Sequence, residues 1–211
     1  MKARTTSKLS SFLIVSWSIH QLASDPIKCN NSASKHFEEQ SILSYLMEPN
    51  NDREKHMEAL QNTGFWGEQG AGCLILAQST GRFLVALRSA FCQQPQTYGT
   101  IGGAIDTGES PIDAMRREVM EECGYLGEII DIKPLYLFSK ETRAGTLFNY
   151  HNFVVLIEHE FEAHEHWETE QFLWVTYEEL VTLHPKHFGL EELLLNSGNL
   201  LNEFALSYKL S

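Results

Sequence analysis

Three glutamates, Glu118, Glu121 and Glu122, fall within five consecutive residues, shortly after the adjacent glycines Gly102 and Gly103. Carboxylates are hard oxygen donors. Grouped on one surface they repel each other, and a divalent cation that takes oxygen ligands offsets the repulsion. Magnesium does this and commonly shares its ligands with substrate phosphates. The chemistry that suits the cluster is the holding of a hard cation beside a phosphorylated ligand.

The spacing predicts that a helix presents the cluster. Ser110 is a good N-cap, Pro111 fits the first helical position, and Asp113 completes a capping-box variant. Gly124 suits the residue that ends the helix. The expected helix runs from Pro111 to Cys123. At about 100° per residue the three carboxylates cover about a third of the circumference. Ala114 is expected between Glu121 and Glu118, leaving space over that surface. Ile112, Met115, Val119 and Cys123 make an adjacent apolar face.

A solvated charged face is the bland alternative, with support from the Arg117 to Glu121 spacing. Such pairs stabilise a helix by only about 0.2–0.5 kcal/mol each. The glutamates also stand late in the helix, where negative charge opposes the macrodipole. A bound cation offsets both penalties, so the cluster reads as a metal platform.

The elements around this helix read as strands. "AGCLILAQ" (71–78) and "FLVALRS" (83–89) flank the turn "STGR" and predict a hairpin. Further strand-like runs lie in "GEIIDIKPLYLFSK", "LFNYHNFVVLIEHEF" and "FLWVTY". "EELVTL" follows, then a helix from about Leu190 to Leu206. The expected class is α/β, a mixed sheet with helices packed on it. Residues 1–65 are polar and irregular, with "CNNSAS" and "EPNNDREK" as loop-like clusters and a short helix expected from about Lys35 to Met47. They are expected to form an N-terminal extension to a domain spanning 66–211.

The chain has 211 residues, 43% of them hydrophobic and 21% charged, which suits one ordinary domain with an extension. Its net charge of −12 argues against backbone-driven binding to extended nucleic acid. The four cysteines form no CxxC pair, so neither a zinc site nor a disulfide framework is signalled. Cys73 and Cys123 read as small core residues. No apolar run is long enough to span a membrane. The N-terminus has a basic start and a short apolar stretch, the outline of a signal peptide. An extra amphipathic segment, or an upstream extension of a protein starting near Met47 or Met57, fits it as well. A cytoplasmic location is the expectation.

The stretch from Gly103 to Tyr125 resembles the Nudix box, G-x5-E-x7-R-E-U-x-E-E-x-G-U, with U a bulky apolar residue. Gly103, Glu109, Arg117, Glu118, Val119, Glu121, Glu122 and Gly124 fit at the right spacing. Tyr125 stands where an aliphatic residue is usual, and Ile101 where a proline often precedes the glycines. The resemblance extends more loosely from about Gly70 to Leu195.

The resemblance implies a Nudix hydrolase, an α/β/α sandwich with a mixed sheet, cleaving a nucleoside diphosphate linked to another moiety X by attack of water on phosphorus, with metal ions neutralising charge on the phosphoryl oxygens. It implies that Glu118, Glu121 and Glu122 bind Mg²⁺ or Mn²⁺, joined by the Gly102 carbonyl. Arg117 would pair with Glu109 or Glu118 and hold the carboxylates. The base would be Glu118 or a later glutamate. Glu165, Glu168 and Glu170 precede Trp174, and the spacing favours Glu168. X is left as a nucleotide sugar, ADP-ribose or a (d)NTP. Pro134 and Tyr136 are too close to the box to serve as subfamily markers, and the NADH-pyrophosphatase signature is absent. The rivals are a nucleotide-sensing module without catalysis and an RNA-cap hydrolase.

Arg88, ending the second strand-like run, could meet a substrate phosphate, since a planar guanidinium suits that geometry. "FNYHNF" alternates aromatic and polar residues, so Tyr150 and Asn152 share a face that could hold a base. Packing of the sheet by these aromatics is the competing reading. His187 and Phe188 lie where some Nudix relatives bind the nucleobase. His164 and His166 read as solvated. The expected partner is a small nucleotide, with a homodimer left open.

Overall fold

The computed structural model describes residues 49–209 except 66 and 165. The expected helix at 35–47 and Glu165 lie outside the described residues. Helix α1 spans Pro49–Thr63. Strands β1 (Gln69–Ala77) and β2 (Arg82–Arg88) follow, then β3 (Tyr98–Gly99) and β4 (Ile101–Ala104). Helix α2 (Pro111–Cys123) precedes β5 (Asp131–Glu141), β6 (Leu147–Ile157) and β7 (Thr169–Val175). Helices α3 (Tyr177–Thr182) and α4 (Phe188–Lys209) complete the order.

The seven strands form one mixed sheet. β1 pairs parallel with β6 and antiparallel with β2 and β4. Such a strand lies between two packed layers, and β1 is buried on both faces. Its alternate residues divide between them. Ala71, Cys73, Ile75 and Ala77 meet Met115, Val119 and Cys123 of α2. Leu74 and Leu76 join Leu180 of α3 and Leu190, Leu193, Leu201 and Ala205 of α4. Strand period and helix period thus build the expected α/β/α sandwich. The buried thiols of Cys73 and Cys123 belong to the α2 side.

Both ends of α2 are fixed locally. The Ser110 side chain accepts from the Asp113 amide, and Gly124 adopts φ 70° while its N–H donates to Met120. Two details of this helix differ from the sequence reading. Ile112 is exposed, standing in the first turn outside the core cluster that the later turns join. Ala114 is fully buried in that cluster rather than lying open between the glutamates.

The "EPNNDREK" region is helical from Pro49, not a loop. Pro49 suits the first helical position, and the following Glu, Lys, Met, Ala and Leu residues are good helix formers that outweigh the three asparagines. β7 begins earlier than expected, so Glu170 stands in a strand rather than in the preceding loop. Among the described residues no helix is long and apolar enough to cross a membrane.

Candidate active site

The Arg117 guanidinium organises the carboxylates. Its Nε and Nη2 donate to the two oxygens of Glu109 at 3.0 Å each. Nη1 donates to Glu118 Oε1 at 2.6 Å and to Glu121 Oε2 at 3.0 Å, and Nη2 to the Ala104 carbonyl at 2.8 Å. The fork ties helix α2 to the loop before it and to strand β4. Burial alone would lower the Arg117 pKa, but Glu118, Glu109 and Glu121 overturn that and the net shift is upward.

Glu122 turns inward. It is 5% exposed, and its Oε1 accepts the Gly102 N–H at 2.8 Å. Gly102 can serve there because its φ of +150° is open to glycine. A Cβ on it would strike the β1 backbone and the Tyr150 hydroxyl.

Glu168 reaches the same place from β7's leading loop. The Ser89 N–H donates to the Glu168 carbonyl at 2.8 Å, and Ser89 Oγ to the Trp167 carbonyl at 2.7 Å. The Glu168 N–H donates to His166 Nδ1 at 3.4 Å, so His166 is not merely solvated. His164 is exposed, although its N–H caps α2 at the Cys123 carbonyl, 3.1 Å away. Glu170 is exposed and bonded to Gln96.

The charges of Glu118, Glu122 and Glu168 act on one another. Burial first, then Glu168 and Glu118, push Glu122 well above the usual carboxylate range. Burial, opposed by Arg117 and reinforced by Glu121 and Glu168, raises Glu118 to about 8. Among the described residues, no three His, Cys, Asp or Glu groups converge as a finished cation cage. Arg117 holds one oxygen each of Glu118 and Glu121, while the Gly102 amide holds one of Glu122. The donor set still fits a hard divalent cation. It is all oxygen, and one guanidinium serves a group of glutamates that burial drives toward protonation.

A small cleft adjoins the carboxylates through Gly102, whose N–H donates to Glu122. Arg88, Gly102, Tyr150, Asn152, His187 and Phe188 line it, so the sequence-predicted substrate residues come together. Phe148, Phe138, Thr100 and Gly189 also line it, and the sequence reading named none of these for the site. Period-two alternation does place Phe148 on the Tyr150 and Asn152 face.

Each lining group has a structural cause. A register shift between Leu87 and Arg88 re-aims Arg88, whose Nε donates to the Gln93 carbonyl at 2.8 Å. Tyr150 crosses Gly70 and Gly72 of neighbouring β1, where a Cβ would meet its ring or hydroxyl. Its hydroxyl bonds Thr100, and burial, then Glu122 and Glu118, raise its pKa. The Asn152 amide donates to the Tyr136 and Tyr150 carbonyls at 2.9 and 3.4 Å. Burial, then Arg88, lowers His187 to about 3, so it is neutral.

Comparison with known proteins agrees with this geometry. The NUDIX domain model matches residues 68–196. No curated protein was found as a sequence relative. A Nudix hydrolase from M. smegmatis, RenU, has a similar fold at TM-score 0.55 and 23% identity, over 68% of this chain and 89% of that one. The MutT NUDIX hydrolase from Burkholderia pseudomallei is similar at TM-score 0.51 and 20% identity, over 62% and 97%. The NUDIX domain of Shewanella oneidensis NrtR, solved with ADP ribose, is similar at TM-score 0.53 and 17% identity, over 69% and 97%. The chain belongs to the Nudix family and is a hydrolase acting on phosphoanhydride bonds.

Proposed function

We propose that this hydrolase is a divalent-metal-dependent pyrophosphohydrolase that splits a nucleoside diphosphate linked to X. The observation that carries the reading is the juxtaposition of two unlike surfaces. An aromatic cleft lined by Phe138, Phe148, Tyr150 and Phe188 adjoins the buried glutamates through the shared residue Gly102. A nucleobase fits the first by stacking, and a pyrophosphate with its cations fits the second.

Glu118, Glu121 and Glu122, with the Gly102 carbonyl, are the residues that would hold Mg²⁺ or Mn²⁺. When bound, the cation supplies charge neutralisation at the phosphoryl oxygens and a more acidic water. The chain's own residues do the rest. Arg117 fixes the carboxylates. Arg88 meets a phosphate from the cleft side. Glu168 takes the proton of the attacking water, with Glu118 and Glu122 as the other bases in reach of the cluster. Water bonds to phosphorus, the bridging P–O bond breaks, and a nucleoside monophosphate and phospho-X leave.

The substrate set is ADP-ribose, nucleotide sugars and (d)NTPs. ADP-ribose is included because the NrtR domain, similar in fold, was solved with that ligand. Full-length protein with Mg²⁺ or Mn²⁺ should turn over one class of this panel, with a phosphatase-coupled assay reporting phosphate. Glu122→Gln should lose that turnover. Nucleotide binding without cleavage of any panel member would overturn the proposal, and cleavage of capped RNA alone would replace its substrate.

A further inference from the structure

The chain ahead of the family domain touches the cleft twice. Phe65 precedes the matched residues 68–196 and stacks on Phe148, with ring centroids 4.3 Å apart and planes 8° apart. Phe148 is 1% exposed and lines the cleft. Phe65 itself is 7% exposed. It covers one face of that ring.

The second contact passes through Gln93. Its Nε2 donates to the Gly64 carbonyl at 3.4 Å, while its own carbonyl accepts from Arg88 Nε at 2.8 Å. One loop residue thus joins the end of α1 to the arginine of the cleft. A further bond ties the same end to the hairpin leading into β6, where the Arg143 N–H donates to the Thr63 carbonyl at 3.2 Å.

The turn at 63–65 is built to reach both sides. The single Thr63 hydroxyl proton has the Ala59 and Phe65 carbonyls as alternative acceptors, at 2.9 and 2.8 Å, and Oγ1 accepts the Phe65 N–H at 3.0 Å. Gly64 takes φ +82°, which turns the chain out of the helix and aims Phe65 inward.

We propose that Thr63–Phe65 is a positioning element of the nucleotide cleft. Phe65 fixes the Phe148 ring, which packs beside Tyr150 in the cleft wall, and Gly64, through Gln93, steadies the loop that orients Arg88. The inference rests on the base-binding reading of the cleft. It assigns to the segment ahead of the domain a part in substrate affinity and none in the phosphoryl chemistry.

Equilibrium binding of AMP, GMP, CMP and UMP to the full chain tests it without requiring turnover. Phe65→Leu keeps apolar bulk and removes the flat face. It should weaken the best-bound nucleotide by about tenfold, the scale of a lost stacking contact. Phe65→Tyr should bind within about twofold of wild type, at a melting temperature close to that of Phe65→Leu. In a Phe148→Ala background, Phe65→Leu should add no further loss, because the two act as one unit. For a panel member that is hydrolysed, KM should rise while kcat stays within about twofold.

Unchanged nucleotide binding by Phe65→Leu would overturn the inference. An equal further loss in the Phe148→Ala background would do the same, since Phe65 would then act on stability alone. A wild type that binds none of the four removes the base cleft, and the inference with it. Binding without hydrolysis leaves this inference standing and overturns the hydrolase substrate set instead.

Discussion

The Glu118 carboxylate lies against Gly103 so closely that a Cβ on the glycine would occupy the same space. Gly103 opposes Ala71 in the β1–β4 pairing, so the backbone behind it is fixed by the sheet. The glycine is small because the carboxylate is there.

Gly103→Ala should therefore displace Glu118 rather than the sheet. We expect a loss of about 100-fold in kcat/KM, the scale of an ångström-level misplacement at a reacting centre. The melting temperature should fall little, because the change is at the rim of the core. Steady-state kinetics beside thermal unfolding check this. Full activity in the variant would mean that Glu118's position is not needed.

Arg117 holds three glutamates and a carbonyl with one planar fork. Lysine keeps the charge but offers one ammonium, which cannot span those acceptors. Arg117→Lys should reduce kcat at least tenfold, and Arg117→Ala should destabilise the fold by about 3 kcal/mol, the scale for an unpaired buried partner. Millimolar Mg²⁺ should restore more of the Arg117→Ala melting temperature than equal ionic strength of NaCl. Equal effects of the two salts would argue against a cation among these carboxylates.

Glu168 and Glu170 are two residues apart and differ in surroundings. Glu168's charge acts on Glu118 and Glu122, while Glu170 is exposed and bonded to Gln96. Glu168→Gln should lower kcat by about 100-fold or more with KM little changed, within the range for losing a general base. Glu170→Gln should be near wild type. The opposite ranking would move the base assignment off Glu168.

How much was legible depended on range. The α2 helix was readable because its signals are local: Ser110, Pro111 and Gly124 are caps, and the glutamates follow helical period. The β1–β2 hairpin was readable for the same reason. The cleft was legible only in parts. Arg88, Tyr150 and Asn152 could be named from strand ends and alternation. That Phe138 and Phe188 face them depends on β5 pairing with β6 and on where α4 starts. Phe65 and Phe148 meet through tertiary packing, which no period in either segment encodes. Ile112 failed for a related reason. Its place on the helical wheel is apolar, but the wheel does not say where the core cluster ends.

His187 is buried with a pKa lowered to about 3, against about 6.5 when unfolded. Between those values the unfolded chain binds the proton and the folded chain does not. The contribution of His187 to stability is thus complete above pH 6.5 and is lost as the pH falls toward 3. At pH 5 the loss is about 2 kcal/mol relative to pH 7.5. Glu118 has the opposite sign, because its raised pKa of about 8 favours the fold as the pH drops from 8 toward 4.5. Wild type alone therefore mixes two slopes. Subtracting His187→Gln from wild type isolates one of them. Urea unfolding at pH 5 and 7.5 should show wild type losing about 2 kcal/mol more than the variant over that interval. Parallel losses in the two proteins would mean that His187 accepts a proton without leaving its place against the cleft.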